Sequence, residues 1–211
     1  MNFESLIFDI DGTLWDSRAL VAEGFNIQLR DEGLAHLCTD VQTLTALFGK
    51  VSETIADVLF PSVPAPERYG LMQRCMAREQ VYLQENECRI GYPKVKETLE
   101  ILARKHRLFI VSNSETGYPD LCMEKLGIAH LFQGSLCYGL TGTCKGATIQ
   151  KLMADHDITS ACYIGDIQGD LEAAEQAGIP FIHCAYGFGT ADRCWKSIDS
   201  FEALLTLPNA E

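Results

Sequence analysis

The chain has 211 residues, of which 47% are hydrophobic and 22% charged, which is typical of a globular protein with one sizeable core. Its formal net charge is −12 and it has no cluster of lysines or arginines, which argues against binding to nucleic acid or to anionic membranes. No apolar run approaches the length that spans a bilayer, so we expect no membrane segment.

The N-terminal residues and the cysteines favour a cytoplasmic protein. Asn2 and Glu4 stand where a secretory signal would carry basic residues. The nine cysteines are odd in number and scattered, which is typical of reduced and mostly buried thiols.

The first predicted element is a buried strand that ends in two carboxylates. Residues 6–8 form a continuous apolar run, and Asp9 and Asp11 follow it with one residue between them. Side chains alternate along a strand, so both carboxylates are expected on the same face. A bound cation would relieve the repulsion between them, and Gly12 lets the chain turn directly afterwards.

Residues 17–88 are predicted to be entirely helical. Apolar side chains recur there at four-residue spacing, beginning with Val21, Phe25 and Leu29. Asp40 and Ser52 are predicted to cap the N-termini of two shorter helices.

The rest of the chain alternates between predicted strands and helices. The strands are expected at 108–111, around 131–138, at 161–164 and at 180–185, and helices lie between them. This alternation predicts an α/β protein with a Rossmann-like parallel sheet and helices on both faces. We expect a core domain formed by residues 1–16 and 89–211, with the all-helical segment 17–88 inserted as a cap domain after the first strand.

Chemically active side chains follow the predicted strand ends or begin the next helix. They are Asp9 and Asp11 after the first strand, Ser112 and Asn113 after the second, Lys145 after the third, and Asp166 and Asp170 after the fourth. In a parallel sheet these ends lie on one edge, where open α/β sheets bind ligands. Carboxylates suit Mg²⁺, which also takes a substrate phosphate oxygen as a ligand. Histidine and cysteine, the ligands typical of zinc sites, are absent from these positions, which argues against zinc.

These motifs resemble those of the haloacid dehalogenase superfamily of phosphohydrolases. The resemblance covers nearly the whole chain and is to the helical-cap branch, which includes enzymes like phosphoglycolate phosphatase and β-phosphoglucomutase. The four motifs are Asp9-Ile10-Asp11-Gly12-Thr13-Leu14 with Asp16-Ser17, Val111-Ser112-Asn113, Lys145-Gly146, and Gly165-Asp166 with Asp170. Two positions depart from the pattern, since Ile167 stands where many relatives have Thr or Ser, and Lys94 stands where Gly is common.

The resemblance implies a role for each acidic residue. Asp9 would be the nucleophile that forms an aspartyl-phosphate. Asp11 would protonate the leaving alkoxide and then deprotonate the attacking water. The side chains of Asp9 and Asp166, with the backbone carbonyl of Asp11, would hold Mg²⁺, and Asp170 would support that site.

The resemblance also implies which residues bind the substrate. Ser112 and Asn113 would contact the phosphoryl group, and Lys145 would neutralise both the nucleophile and the transferring group. Lys50, in a cap loop, would contact the leaving group, whereas Arg18 is expected to be a surface or hinge residue.

The expected function is that of an Mg²⁺-dependent phosphatase acting on a small phosphorylated metabolite. A sugar phosphomutase of the β-phosphoglucomutase type shares every core residue and stays open as an alternative. A phosphonate-cleaving enzyme would need a cap lysine such as Lys50, and a dehalogenase typically lacks a carboxylate at the position of Asp11. A catalytically silent binding protein is a weaker alternative, because the set of acidic residues is complete. The protein is expected to be a monomer or small homo-oligomer.

Overall fold

The computed structural model describes residues 1–87 and 89–208, and the chain divides into two compact units. One unit consists of Met1–Asp16 and Ile90–Glu211, and the other of Ser17–Arg89.

The first unit is built on a parallel β-sheet. Its strands are β1 (Ser5–Phe8), β2 (Arg107–Ser112), β3 (Phe132–Cys137), β4 (Ala161–Gly165), β5 (Phe181–Cys184) and β6 (Lys196–Ile198). They lie in the order β3-β2-β1-β4-β5-β6, and every neighbouring pair is parallel. All four residues of the central strand β1 are buried, which explains the apolar run at residues 6–8. The predicted Rossmann-like α/β fold is confirmed.

The regular elements of the second unit are all helices in its described residues, 17–87 and 89. Its α-helices are α1 (Arg18–Asp31), α2 (Val41–Thr45), α3 (Ser52–Leu59) and α4 (Ala65–Glu85), and a short 3-10 helix spans Ala35–Leu37. Asp40 caps α2 as predicted, because its Oδ1 accepts the Thr43 N–H at 2.7 Å. The predicted Ser52 cap is wrong: Val51 occupies the N-cap of α3, and the Ser52 hydroxyl donates to the Glu53 carboxylate at 3.3 Å.

Five α-helices accompany the sheet in the described residues of the first unit, together with two short 3-10 helices, Ala129–Leu131 and Phe201–Thr206. The α-helices are α5 (Val95–Leu102), α6 (Tyr118–Leu126), α7 (Tyr138–Thr141), α8 (Lys145–Asp155) and α9 (Gln168–Ala177). Helices α8 and α9 bury an apolar stripe against one face of the sheet. Ile149 and Leu152 of α8 join Phe109, Val111 and Tyr163 of the strands in one hydrophobic core. This packing fixes the start of α8 relative to the sheet.

The first unit has two features that the sequence did not predict, the strand β6 and a left-handed backbone at Lys94. Strand β6 was not predicted, because three residues with a single buried apolar side chain, Ile198, give no periodic pattern. Lys94 precedes α5 with a left-handed backbone, φ 63°, a conformation that glycine adopts more readily than lysine. Among the described residues, the helices are too short or too polar to cross a bilayer.

Candidate active site

Three buried carboxylates converge at the carboxyl edge of the sheet. Asp9 follows β1 and Asp166 follows β4, and these strands are paired in parallel, so their ends are adjacent. The Asp9 N–H donates to the Ile164 carbonyl at 2.8 Å and thereby fixes the backbone at this point. Asp170 lies in the first turn of α9. One oxygen from each of the three carboxylates lies within 4.8 Å of the others.

Lys145 supplies positive charge to this cluster. It is the first residue of α8, and its side chain is only 4% exposed. Its Nζ lies 2.9 Å from Oδ1 of Asp9 and 2.6 Å from Oδ1 of Asp170, so one ammonium bridges two carboxylates. The ring of Tyr163 lies 5.8 Å from Nζ, and its hydroxyl donates to the Val111 carbonyl at 2.7 Å. The sequence does not indicate this contact of Tyr163, because the residue lies within an apolar run that predicts only a buried strand.

Asp170 orients the loop that carries Asp166. Its Oδ2 accepts the N–H groups of Asp166 at 2.9 Å and of Ile167 at 3.3 Å, at the N-terminus of α9. Ile167 occupies the N-cap and cannot cap the helix with its own side chain, so Asp170 satisfies these donors. Both oxygens of Asp170 therefore accept hydrogen bonds within the site, Oδ1 from Lys145 and Oδ2 from these two N–H groups.

Asp166 is enclosed by two glycines that approach it closely. Gly12 has φ +77°, and a Cβ at this position would overlap the Asp166 carboxylate. A Cβ on Gly187 would overlap Asp166 and the Gly12 carbonyl. The adjacent Phe188 N–H donates to Oδ2 of Asp166 at 2.6 Å. The turn after β1 and the loop after β5 thus hold this carboxylate in place.

The cluster has an excess of negative charge. Burial raises the pKa of Asp9 to about 7, although Lys145 opposes the shift. Burial, followed by repulsion from Asp170 and Asp9, raises the pKa of Asp166 to about 9. Three carboxylates share one ammonium, and the ligand atoms are all oxygens. The donor set and the uncompensated charge fit a hard divalent cation.

Asp11 lies in a different polar environment from Asp9. Strand β1 ends at Phe8, so the strand alternation that was expected to align the two carboxylates does not extend to Asp11. Its Oδ1 accepts the Trp15 Nε1–H at 2.8 Å and the Tyr118 hydroxyl at 2.8 Å. Tyr118 was not identified from the sequence, since it begins a helix 107 positions away from Asp11.

The remaining predicted core residues lie at the end of β2, beside β1. Ser112 is the last residue of β2, is buried, and accepts the Ser114 N–H on its Oγ at 3.3 Å. Asn113 follows it directly. The parallel pairing of β2 with β1 places both residues on the sheet edge that carries Asp9.

Lys50 and Arg18 belong to the helical unit. The Lys50 backbone N–H donates to the Leu47 carbonyl at 3.1 Å, and its side chain is exposed. The Arg18 guanidinium donates to Oγ1 of Thr45 at 3.4 Å, within the same unit. Their roles toward a substrate stay predictions.

The fold and the acidic site together define an α/β core of the haloacid dehalogenase type. A family model described as haloacid dehalogenase-like hydrolase matches residues 6–184, and the chain belongs to this family of hydrolases. The family predicted from the sequence motifs is therefore confirmed.

Several relatives support this assignment. Phosphoglycolate phosphatases from Agrobacterium fabrum and Haemophilus influenzae are each 28% identical to the chain. The first alignment covers 86% of this chain and 80% of the relative, and the second covers 97% and 98%. The crystal structure of a predicted phosphoglycolate phosphatase from Haemophilus somnus matches with TM-score 0.80 and 25% identity, over 98% of each chain. A haloacid dehalogenase-like family hydrolase from Streptococcus pneumoniae has the same fold, with TM-score 0.79 and 20% identity over 97% and 98% of the chains.

Proposed function

We propose that the protein is an Mg²⁺-dependent phosphatase that hydrolyses a small phosphorylated metabolite through an aspartyl-phosphate on Asp9. The observation that carries the proposal is the buried Lys145 ammonium, 2.9 Å from Asp9 and 2.6 Å from Asp170, beside a third carboxylate, Asp166. An ammonium held in this way can offset the charge of the nucleophile and of an incoming phosphoryl group.

The proposed reaction has two chemical steps. In the first, a carboxylate oxygen of Asp9 attacks phosphorus, the bond to the ester oxygen breaks, and Asp11 gives its proton to that oxygen. In the second, water attacks the aspartyl-phosphate, Asp11 takes the water proton, and inorganic phosphate leaves Asp9. Ser112 and Asn113 would donate hydrogen bonds to the phosphoryl oxygens, and Lys145 would offset their charge in both steps.

The carboxylate cluster would hold Mg²⁺. The side chains of Asp9 and Asp166, with the backbone carbonyl of Asp11, would be its protein ligands, and Asp170 would keep Asp166 and Lys145 in place. The ion would reduce the repulsion between a carboxylate nucleophile and an anionic phosphate.

The domain organisation follows the same proposal. Residues 1–16 and 89–211 would form the catalytic core, and residues 17–88 would form the cap that recognises the leaving group. Lys50 is the single lysine between residues 17 and 88, and its charge would suit a leaving group with a carboxylate or several hydroxyls.

The first substrate to test is 2-phosphoglycolate, because several relatives are phosphoglycolate phosphatases. A panel of phosphorylated metabolites, with purified protein and Mg²⁺, would be ranked by kcat/KM from phosphate release. Asp9→Asn is the control and should release essentially no phosphate while keeping its fold. Wild-type turnover by Asp9→Asn would contradict the nucleophile assignment, and no phosphate release by the wild-type protein from any ester would contradict the proposed function.

A further inference from the structure

Two buried aromatic side chains donate to the same oxygen of Asp11. The Trp15 indole N–H and the Tyr118 hydroxyl each lie 2.8 Å from its Oδ1. Trp15 is fully buried and Tyr118 is 4% exposed, so neither donor faces bulk water. Their rings pack edge to face, with centroids 5.5 Å apart and an interplanar angle of 78°.

Each donor is fixed by its own part of the backbone. The Trp15 carbonyl accepts the Gly12 N–H at 3.0 Å, and its N–H donates to the Ile10 carbonyl at 3.3 Å, which closes the turn after β1. Tyr118 is the first residue of α6, and Pro119 follows it in the first turn. The proline ring fixes the φ angle of Pro119 at a value that suits a helix start. The two donors therefore reach Asp11 from different elements of the same unit, the turn after β1 and the start of α6.

This arrangement distinguishes the two oxygens of Asp11. An indole nitrogen can only donate, so Oδ1 must act as the acceptor of that bond. With two hydrogen bonds already accepted by Oδ1, a proton carried by Asp11 lies on Oδ2. The two bonds also restrict rotation of the carboxyl group, which sets the direction in which that proton points.

We propose that Tyr118, together with Trp15, is a positioning residue that directs the Oδ2 proton of Asp11 toward the departing ester oxygen. The inference rests on the proposed role of Asp11 as general acid. In that step the proton moves from Oδ2 to the ester oxygen as the phosphorus–oxygen bond breaks and the bond to Asp9 forms. The bonds to Tyr118 and Trp15 matter most when the leaving group is a strong base that needs the proton.

The test compares two aryl phosphates that differ in leaving group. Phenyl phosphate releases a more basic phenolate than 4-nitrophenyl phosphate, so it depends more on proton donation. Tyr118→Phe keeps the ring contact with Trp15 and removes only the hydroxyl. We expect kcat/KM to fall about tenfold for phenyl phosphate and less than twofold for 4-nitrophenyl phosphate. Trp15→Phe, which removes the indole N–H, should show the same selectivity and serves if Tyr118→Phe does not fold.

Tyr69→Phe is the matched control. The Tyr69 hydroxyl also donates to an aspartate, Oδ1 of Asp57, at 3.2 Å, but in the helical unit. Its removal should leave both kcat/KM values unchanged. A loss shared equally by the two substrates in Tyr118→Phe would show a purely structural role and overturn the inference.

Asp11→Asn separates this inference from the proposed function. It should show a larger selective loss than Tyr118→Phe, and adding Tyr118→Phe to it should cost little more. If Asp11→Asn is selective and Tyr118→Phe is not, the positioning role is wrong and the general acid stands. If Asp11→Asn shows no selectivity, the general-acid role itself is wrong.

Discussion

Lys145 and Asp9 form a buried ion pair, with Nζ 2.9 Å from Oδ1 and side chains that are 4% and 5% exposed. The two residues are 136 positions apart, and they meet because β1 is central in the sheet and α8 packs its apolar stripe against the same sheet. Isolated charges are costly to bury, and further hydrogen bonds offset part of this cost, including the one that Lys145 donates to Asp170. The pair therefore places a positive charge directly beside the carboxylate that we propose as the nucleophile.

Replacing Lys145 with Met should lower kcat about a hundredfold or more, because in the proposed mechanism its charge stabilises the transferring phosphoryl group. Lys145→Arg should restore only part of the activity, since a planar guanidinium does not fit a site formed around a point charge. Steady-state kinetics and thermal unfolding would be measured together, because the change also leaves buried carboxylates without their partner.

Lys151→Met is the control for Lys145. Lys151 lies in the same helix, is 55% exposed and pairs with Asp155 at 2.9 Å, so its loss should leave kcat unchanged. A change confined to KM in Lys145→Met would instead make Lys145 a simple anchor for the substrate.

Mg²⁺ should stabilise the folded protein through the carboxylate cluster. A ligand that binds only the folded state at 100 times its Kd adds about 2.7 kcal/mol to the free energy of unfolding, so Tm should rise with Mg²⁺. Asp166→Asn should abolish most of this rise. Without metal, the same variant should be at least as stable as the wild type, because it removes a carboxylate that Asp170 and Asp9 repel.

Thermal unfolding with and without Mg²⁺ tests this prediction, and Asp155→Asn, on an exposed helix surface, should keep the full metal response.

Activity should be lost with a chelator and return with Mg²⁺, whereas Ca²⁺ should restore it poorly because its coordination shell is larger and more variable. Full activity after exhaustive chelation would contradict the metal assignment.

The sequence predicted the sheet edge well because parallel topology decides where strand ends lie. Apolar runs located β1, β2 and β4, and the residues after them had to share an edge once the sheet was parallel. This reasoning anticipated that Asp9, Asp166 and Asp170 would converge with Lys145, as the distances show.

The surroundings of these residues could not be predicted in the same way. Tyr118 contacts Asp11 across 107 positions, and its place at a helix start gives no local pattern that indicates the contact. Gly187 lies in a loop, and its close approach to Asp166 depends on how the loop after β5 folds back over the sheet edge. Such contacts depend on tertiary packing, whereas hydrophobic periodicity reports only on the local element.

Lys94→Gly should stabilise the protein by about 0.5–1 kcal/mol. Lys94 has φ 63°, a left-handed conformation that costs about 1–2 kcal/mol for a residue with a side chain, and glycine adopts it freely. The gain is partly offset because glycine makes the unfolded chain more flexible. Denaturant unfolding at equilibrium would measure the change.

The control for Lys94 is Lys151→Gly, in the interior of α8, which should destabilise by about 1 kcal/mol because glycine is a poor helix former. The two substitutions are chemically the same and should have opposite signs. A destabilised Lys94→Gly variant would show that the Lys94 side chain contributes more than its backbone costs.

Lys50→Ala should lower kcat/KM for 2-phosphoglycolate far more than for 4-nitrophenyl phosphate. In the proposed mechanism the core residues contact only the phosphoryl group, so discrimination between esters would come from residues that contact the leaving group. The carboxylate of 2-phosphoglycolate offers Lys50 an ionic partner, and the nitrophenyl ring does not. Arg30→Ala, which removes an exposed charge paired with Glu23 in the same helical unit, should change neither value. Equal losses on both substrates would show that Lys50 affects folding or movement of the helical unit and does not recognise the leaving group. Unchanged values would show that it is an ordinary surface lysine.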